Sequence, residues 1–480
     1  MNTPVSSGYS RRVYPLDAQK LTEEQIAVAF AMTSRRPESF DEIAEQVSQD
    51  KAADFHERWV LGYGHSSVAE HAVLHLAVEN ISRIACDTLE DNRLASYTEK
   101  SSRYQVFPDG YYYVPTEIDK NDNLKKLYEQ TCDLLFQEYK SFIDLCMSYL
   151  KTIYPKRENE RDAAYELRLR RFATDSCRLL LPASSLTNVG ITANARVLEH
   201  AISKLLSSEL EEERELGEEI RGQSQSITPT LIKYANEIPY LKETVTNQGD
   251  LIGQWDAQIP SHYSKSSAIV SLVESDDYAE EKLVAGLLYR QSGEDYSHVK
   301  TRVESMTPEE RLNIIDNCTR ALGPHDAPIR EFELINYTFE FIMDYGAYRE
   351  FKRHRMMSYL PQGLAVDHGY RIPQLFIDAG LTDRFDELMG KVATSYADIS
   401  EVSPRAAQYL VTHAHYRRLI AQCNLRECYH LFKLRTSDLA HFSIREPILA
   451  AMRLVVDKDP GFFRHLKLRD YPDWWPYKQE

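Results

Sequence analysis

The chain has 480 residues, about three times a common domain length, so two domains or one duplicated unit is the expectation. Apolar residues make up 43%, aromatics 11% and charged residues 27%, which excludes a disordered chain, a collagen-like chain and a small disulfide scaffold. Lys plus Arg is 57 against 73 for Asp plus Glu, a formal charge of −16 that repels nucleic acid and anionic membrane unless a local basic pocket is built against it.

In chain order, residues 1–20 lack the apolar centre of a signal peptide, and no later stretch approaches the roughly eighteen apolar residues of a membrane span. Seven cysteines without a repeating Cys-x-x-Cys predict reduced thiols in a cytoplasmic protein. Residues 72–81 alternate or run apolar with β-branched residues and predict a strand. Residues 122–154 and 197–220 repeat apolar side chains at three- and four-residue steps and predict helix. The stretch 238–265 mixes Pro, Gly and polar residues without a sustained period, so a domain boundary is expected there, with 241–265 as linker. Residues 332–343 again predict a strand. The fold class is mixed α and β.

The two halves resemble each other. Glu70 precedes a strand-like run, followed by Asp91-Asn92-Arg93 and then Leu94-Ala95-Ser96-Tyr97. In the second half Glu333 precedes such a run, followed by Arg353-His354-Arg355 and then Met356-Met357-Ser358-Tyr359. Asn194, Arg196 and His200 find counterparts in Asn424, Arg426 and His430. Ser96 and Ser358 are 262 residues apart, Arg196 and Arg426 only 230, so the first copy is longer in between. The helical segment 122–170 accommodates the excess. Two diverged copies, 1–240 and 266–480, are expected.

Three elements can carry chemistry. Arg353-His354-Arg355, flanked by Arg349 and Lys352, offers guanidiniums and an imidazole to a phosphate or a flavin edge. Alone, it reads first as a solvated basic turn. Glu99, Ser101 and Arg103 form a plausible phosphate clamp, yet alone they read as a polar loop. Asn-x-Arg-x-x-x-His is expected to set three polar groups on one helix face, which by itself reads as an exposed surface.

In order and spacing they say more. Gly64-His65-Ser66-Ser67, Glu70-His71, Ser82-Arg83, then Arg93, seven residues, Ser101-x-Arg103-Tyr104, then Arg178 and Asn194-Ala195-Arg196 resemble the flavin-dependent thymidylate synthases. The hallmark of that family is Arg-His-Arg, seven residues, then Ser-x-Arg-Tyr. The second copy, with Glu333, Arg353-His354-Arg355, Ser358-Tyr359, Asn424-Leu425-Arg426, His430 and Arg435, resembles the same family. The resemblance implies two fused copies of that fold, each with helices packed on a mainly antiparallel sheet. It implies conversion of dUMP to dTMP, with methylenetetrahydrofolate as carbon donor and FAD reduced by NADPH carrying methylene and hydride. An arginine near the pyrimidine favours its ionised form, and no protein thiolate or metal is required.

Carried over by resemblance, Glu99, Ser101, Arg103, Arg178 and Arg353 are substrate-binding candidates and Arg435 is the catalytic one. Ser67, Asn194, Arg196, His200, Arg353, His354, Arg355, Asn424, Arg426 and His430 are candidates for the flavin. The departures are systematic. The first copy has Asp91-Asn92-Arg93 for the basic triplet and Leu205 for the late arginine. The second has Gly363, Ala365 and Gln408 where Ser101, Arg103 and Arg178 stand in the first. Each copy keeps what the other lost. The expectation is a site assembled from complementary halves, in a homodimer that replaces the family's tetramer. The alternatives are C5 modification of another uracil nucleotide, or a non-catalytic paralogue that binds flavin or nucleotide. Folate and pyrimidine nucleotide are the expected partners; nucleic acid and membrane are not.

Overall fold

A computed structural model describes residues 12–34, 36–61, 66–103, 105–256 and 269–477. Among the described residues, seven strands lie in two antiparallel sheets. The first holds β1 (Val73–Ser82), β2 (Ala95–Glu99) and β3 (Leu186–Asn194) in the order β1-β3-β2. The second holds β4 (Val270–Ser275), β5 (Asn336–Asp344), β6 (Ser358–Pro361) and β7 (Tyr416–Asn424) in the order β4-β5-β7-β6. Strands β5, β7 and β6 repeat the arrangement of β1, β3 and β2, and β4 adds an edge.

The repeat extends to the junctions. β1 runs directly into helix Arg83–Glu90 through Ser82, whose hydroxyl accepts the Ala85 N–H. β5 runs into helix Tyr345–Phe351 through Asp344, whose carboxylate accepts the Ala347 N–H at 2.8 Å. β3 and β7 enter helices Ala195–Leu206 and Leu425–Arg435 through Asn194 and Asn424, which cap the N–H groups of Val197 and Glu427. Such short polar side chains satisfy donors that have no intrahelical acceptor. The asparagines are therefore helix caps.

Strand β5 alternates strictly: Tyr337, Phe339, Phe341 and Met343 are buried, with polar or half-buried residues between them. Strand β1 is interrupted by a bulge between Val78 and Ile81, where Asn80 takes a φ of 59°. Asparagine tolerates this left-handed conformation better than branched residues do.

The described residues form two compact units. One gathers those of 1–100, 115–117 and 186–261; the other gathers those of 101–114, 118–185 and 262–480. These units are not the two sequence copies, because most of 101–185 clusters with the second copy. The first unit has a core of Leu74, Ile81, Leu89, Ile191, Leu198, Ile202 and Leu205 on its sheet and helices. In the second, helix Asp122–Ile153 buries Phe136, Tyr139, Phe142, Cys146 and Leu150 at helical spacing. They share one core with Phe376, Phe385, Met389 and Val392. Helix Pro239–Asp256 occupies most of the stretch expected to be aperiodic linker, and 257–268 lie outside the described residues.

Within the second unit the copies meet through equivalent segments. The Ala183 N–H donates to the Val411 carbonyl at 2.8 Å, and the His413 N–H donates to the Leu181 carbonyl at 2.9 Å. The 230-residue offset maps each bond onto the other. Pro182 and Thr412, equivalent to each other, form the bridge between them. Reciprocal contacts of this kind define a local two-fold relation, as in an isologous interface between identical subunits.

Candidate functional site

The two-fold contact places Arg178, at the end of helix Asp162–Cys177, beside residues of the second copy. Its Nη2 donates to Glu350 Oε1 at 3.1 Å. Arg435, at the end of helix Leu425–Arg435, grips the same residue with two donors. Nη1 reaches Glu350 Oε2 and Nη2 reaches the Glu350 carbonyl, both at 3.2 Å. The remaining Nε donates to His354 Nε2 at 3.0 Å. A neutral imidazole accepts on only one nitrogen, so His354 carries its proton on Nδ1 and donates it to Glu427 at 3.0 Å. Arg103 forms a bidentate pair with Asp175, with bonds of 2.7 and 2.9 Å.

The electrostatics follow from this geometry. Burial opposes ionisation of Glu350, but Arg178, Arg435 and Arg103 outweigh it and hold its carboxyl below the ordinary range. Burial pushes His354 down, against the pull of Glu427, and Arg435 and His430 add to the depression. Burial also lowers His441, with Arg178 next in effect; its Nδ1 accepts the Ser443 N–H, so Nε2 donates to the Asp175 carbonyl at 2.9 Å. The site is thus a set of permanent cations held by carboxylates and neutral imidazoles.

One buried donor in it has no acceptor among the described residues, the Nε of Arg178. A ligand oxygen would satisfy it, which fits an anion. The rim fits an aromatic anionic cofactor as well. Arg353 and His430 are exposed, Arg355 is half-buried, and the His430 ring lies 5.2 Å from that of His354. His354, Glu427 and His430 also bring ligand atoms within 4.8 Å of one another, a metal-like grouping, but both ring nitrogens of His354 are already engaged.

The other sequence-derived candidates have partners of their own. Glu99 belongs to the first unit, where it forms a fully buried ion pair with Arg83 and accepts from Thr187 at 3.3 Å. Ser101 belongs to the second unit, and its hydroxyl accepts the Arg103 N–H at 3.2 Å. Arg426 is bound to Glu333 at 2.8 Å and to the Pro328 carbonyl at 2.7 Å. In the first unit Asn194, Arg196 and His200 line a cleft of about 710 Å³ together with Asp91, Asn92 and Arg93. Arg196 there pairs with Glu70. Ser67 lines a separate cleft of about 300 Å³ with Phe30, Trp59 and His71. Gly64, His65 and Tyr104 lie outside the described residues.

The erosion of the first copy is coordinated. At the repeat offsets, Asn92 stands for His354, Val197 for Glu427, Leu205 for Arg435 and Thr88 for Glu350. Leu205 is fully buried in the apolar core, and Asn92 caps the Leu89 carbonyl at 2.8 Å. Every member of the hydrogen-bonded chain has been replaced. In the second copy Gln408, at the place of Arg178, accepts the Leu364 N–H at 3.0 Å.

Sequence reasoning missed Glu350, Glu427, Asp175 and His441. Asp175 and Arg178 are three apart, as are Glu350 and Arg353, a spacing that signals side-chain contact on a helix. The actual bond from Glu350 runs instead to arginines distant in sequence.

Comparison with known proteins agrees with the internal repeat. Residues 16–230 and 272–461 match the family described as thymidylate synthase complementing protein. A UPF0159 protein of Chlamydia pneumoniae is 30% identical over 97% of this chain and 89% of its own length. A UPF0159 protein of Thermoplasma acidophilum is 27% identical over 88% of this chain and 91% of its own. A flavin-dependent thymidylate synthase of Clostridium tetani is 27% identical over 44% of this chain and 82% of its own. With its repeated sheet-and-helix units and both segments matched, the chain belongs to the thymidylate synthase complementing protein family, that of the flavin-dependent thymidylate synthases.

Proposed function

We propose that the second unit holds one composite site for a uracil nucleotide and a flavin, and that the protein methylates uracil C5 of dUMP to give dTMP. The carrying observation is the Glu350 bridge, which joins Arg178 of the first segment to Arg435 of the second. Arg103, Ser101 and Arg178 would bind and orient the nucleotide phosphate through charge-assisted hydrogen bonds. Arg435, with its fork held by His354 and the Glu350 carbonyl, would favour the ionised form of the pyrimidine and so raise electron density at C5. His354, Arg353, Arg355 and His430 would hold the flavin, and Asn424 fixes the start of the helix that carries His430 and Arg435. When bound, FAD supplies the redox and one-carbon chemistry, with NADPH as reductant and methylenetetrahydrofolate as carbon source.

The first-unit cleft around Arg196 and His200 is read as the eroded counterpart. In this reading a homodimer of the chain stands in for the family's tetramer. The test is an absorbance spectrum of the purified protein after FAD titration, followed by a thymidylate assay with dUMP, methylenetetrahydrofolate and NADPH. Flavin uptake with turnover is expected. A protein that takes up no FAD contradicts the reading. Replacing Ser101 and Arg103 together by Ala removes contacts each worth about 1.5–3 kcal/mol and should weaken dUMP binding at least a hundredfold.

A further inference from the structure

Arg103, Arg178 and Arg435 are the cations proposed to receive a nucleotide, yet each already faces an internal acid. Arg103 is paired with Asp175, and Arg178 and Arg435 share Glu350. An incoming phosphate therefore meets arginines whose donors are partly taken by carboxylates.

The two acids are held differently. Asp175 makes the bidentate, parallel pair that is hardest to displace, with both bonds below 3.0 Å. Glu350 gives one oxygen to each of two arginines at 3.1 and 3.2 Å, longer single contacts. Beside it lies the Arg178 Nε, a buried donor with no acceptor. A phosphate replacing Glu350 can offer three oxygens, enough for the Arg178 Nε and Nη2, and the exchange frees the Arg435 Nη1 to face the pyrimidine. The Arg435 Nη2 bond to the Glu350 carbonyl and the Nε bond to His354 would stay, so the guanidinium keeps its orientation during the exchange.

We infer that Glu350 is a built-in competitor that sets the phosphate affinity of this site, an internal anion that the phosphate of a nucleoside monophosphate must displace from Arg178 and Arg435. This rests on the nucleotide reading of the site. Its consequence is a tempered phosphate affinity: a ligand without a phosphate leaves the Glu350 contacts in place, and a ligand with one binds against a built-in competitor. No residue equivalent to Glu350 in the first copy could do this, because Thr88 holds that place and donates to Glu213.

The experiment is calorimetric titration of the full chain and of Glu350→Gln with dUMP, deoxyuridine and inorganic phosphate. Binding of dUMP to the native chain tests the nucleotide reading; the ratio between variant and native chain tests Glu350. Glu350→Gln should tighten dUMP and inorganic phosphate by about tenfold or more and leave deoxyuridine within about twofold. Unchanged or weaker phosphate binding in a folded variant overturns the inference, and so does equal tightening for deoxyuridine, which would assign Glu350 to the base. If the variant does not fold, a structure of the native chain with dUMP decides. Glu350 turned away from Arg178 supports the exchange, and Glu350 still bridging both arginines overturns it.

Discussion

Each nitrogen of the Arg435 guanidinium has its own partner: Nε the ring of His354, Nη1 the carboxylate of Glu350, Nη2 the carbonyl of the same residue. Lysine cannot reproduce such a fork, since its ammonium is a point charge on a flexible stem. Arg435→Ala should abolish thymidylate formation, and Arg435→Lys should not restore it. Leaving Glu350 and His354 half-partnered should also cost about 1–3 kcal/mol of stability, readable as a lower denaturation midpoint. The buried histidines set the response to acid. His415 is fully buried, accepts the Thr412 N–H at 3.1 Å and is pushed down to about 4 by burial, from an ordinary value of 6.5. His354 and His441 are lowered in the same way. A histidine with a depressed folded-state value takes its proton first in the unfolded chain. Stability is therefore complete above pH 6.5 and falls as pH drops toward 4, by up to about 1.4 kcal/mol per pH unit for each such group. Melting curves from pH 7.5 to 5 should show a steady fall, and replacing His415 by Gln should flatten it. A melting temperature that rises on acidification would contradict the neutral assignment.

At the scale of elements, periodicity was enough to find helix Asp122–Ile153 and strand β5, because one face of each is buried along its whole length. It could not say what covers that face. An apolar stripe of Phe136, Tyr139 and Phe142 looks the same whether its partner is β1 or helix Thr382–Ser400, and in the structure it is the latter. The same limit hid Glu350 and Glu427. Their charges are ordinary in sequence, and their meaning depends on arginines and imidazoles brought in by other elements. The asparagine of each Asn-x-Arg-x-x-x-His run caps its helix, a role that its spacing from the arginine did not announce. The aperiodic stretch became helix Pro239–Asp256 although its composition did not announce one. Removing a large side chain from the shared core should act on both copies at once. Phe142→Ala should cost about 3–5 kcal/mol and reduce nucleotide binding along with stability, measured by denaturation and titration of the same preparation.

The whole molecule ties two segments into one working half. Residues 101–114 and 118–185 pack in the unit that holds 262–480, and the reciprocal bonds between 181–183 and 411–413 fasten them there. A cut at the sequence boundary should therefore leave both fragments deficient. Residues 241–480 alone would expose Phe376, Phe385 and Met389, and residues 1–240 would expose the facing aromatic stripe. Each fragment is expected to aggregate by itself and to become soluble when both are expressed together; a monodisperse, folded 241–480 fragment would contradict this. Light scattering of the full chain should give twice 55.5 kDa if the homodimer proposal holds. The complementary losses were visible in sequence, but the closure of Arg178 onto Glu350 and Arg435 was not. That closure is tested most directly by the stoichiometry of dUMP binding to the FAD-loaded chain. One dUMP per chain is predicted, lost in Arg178→Ala and equally in Arg435→Ala. Two dUMP per chain, or binding that survives either substitution, would contradict a single site made from both segments.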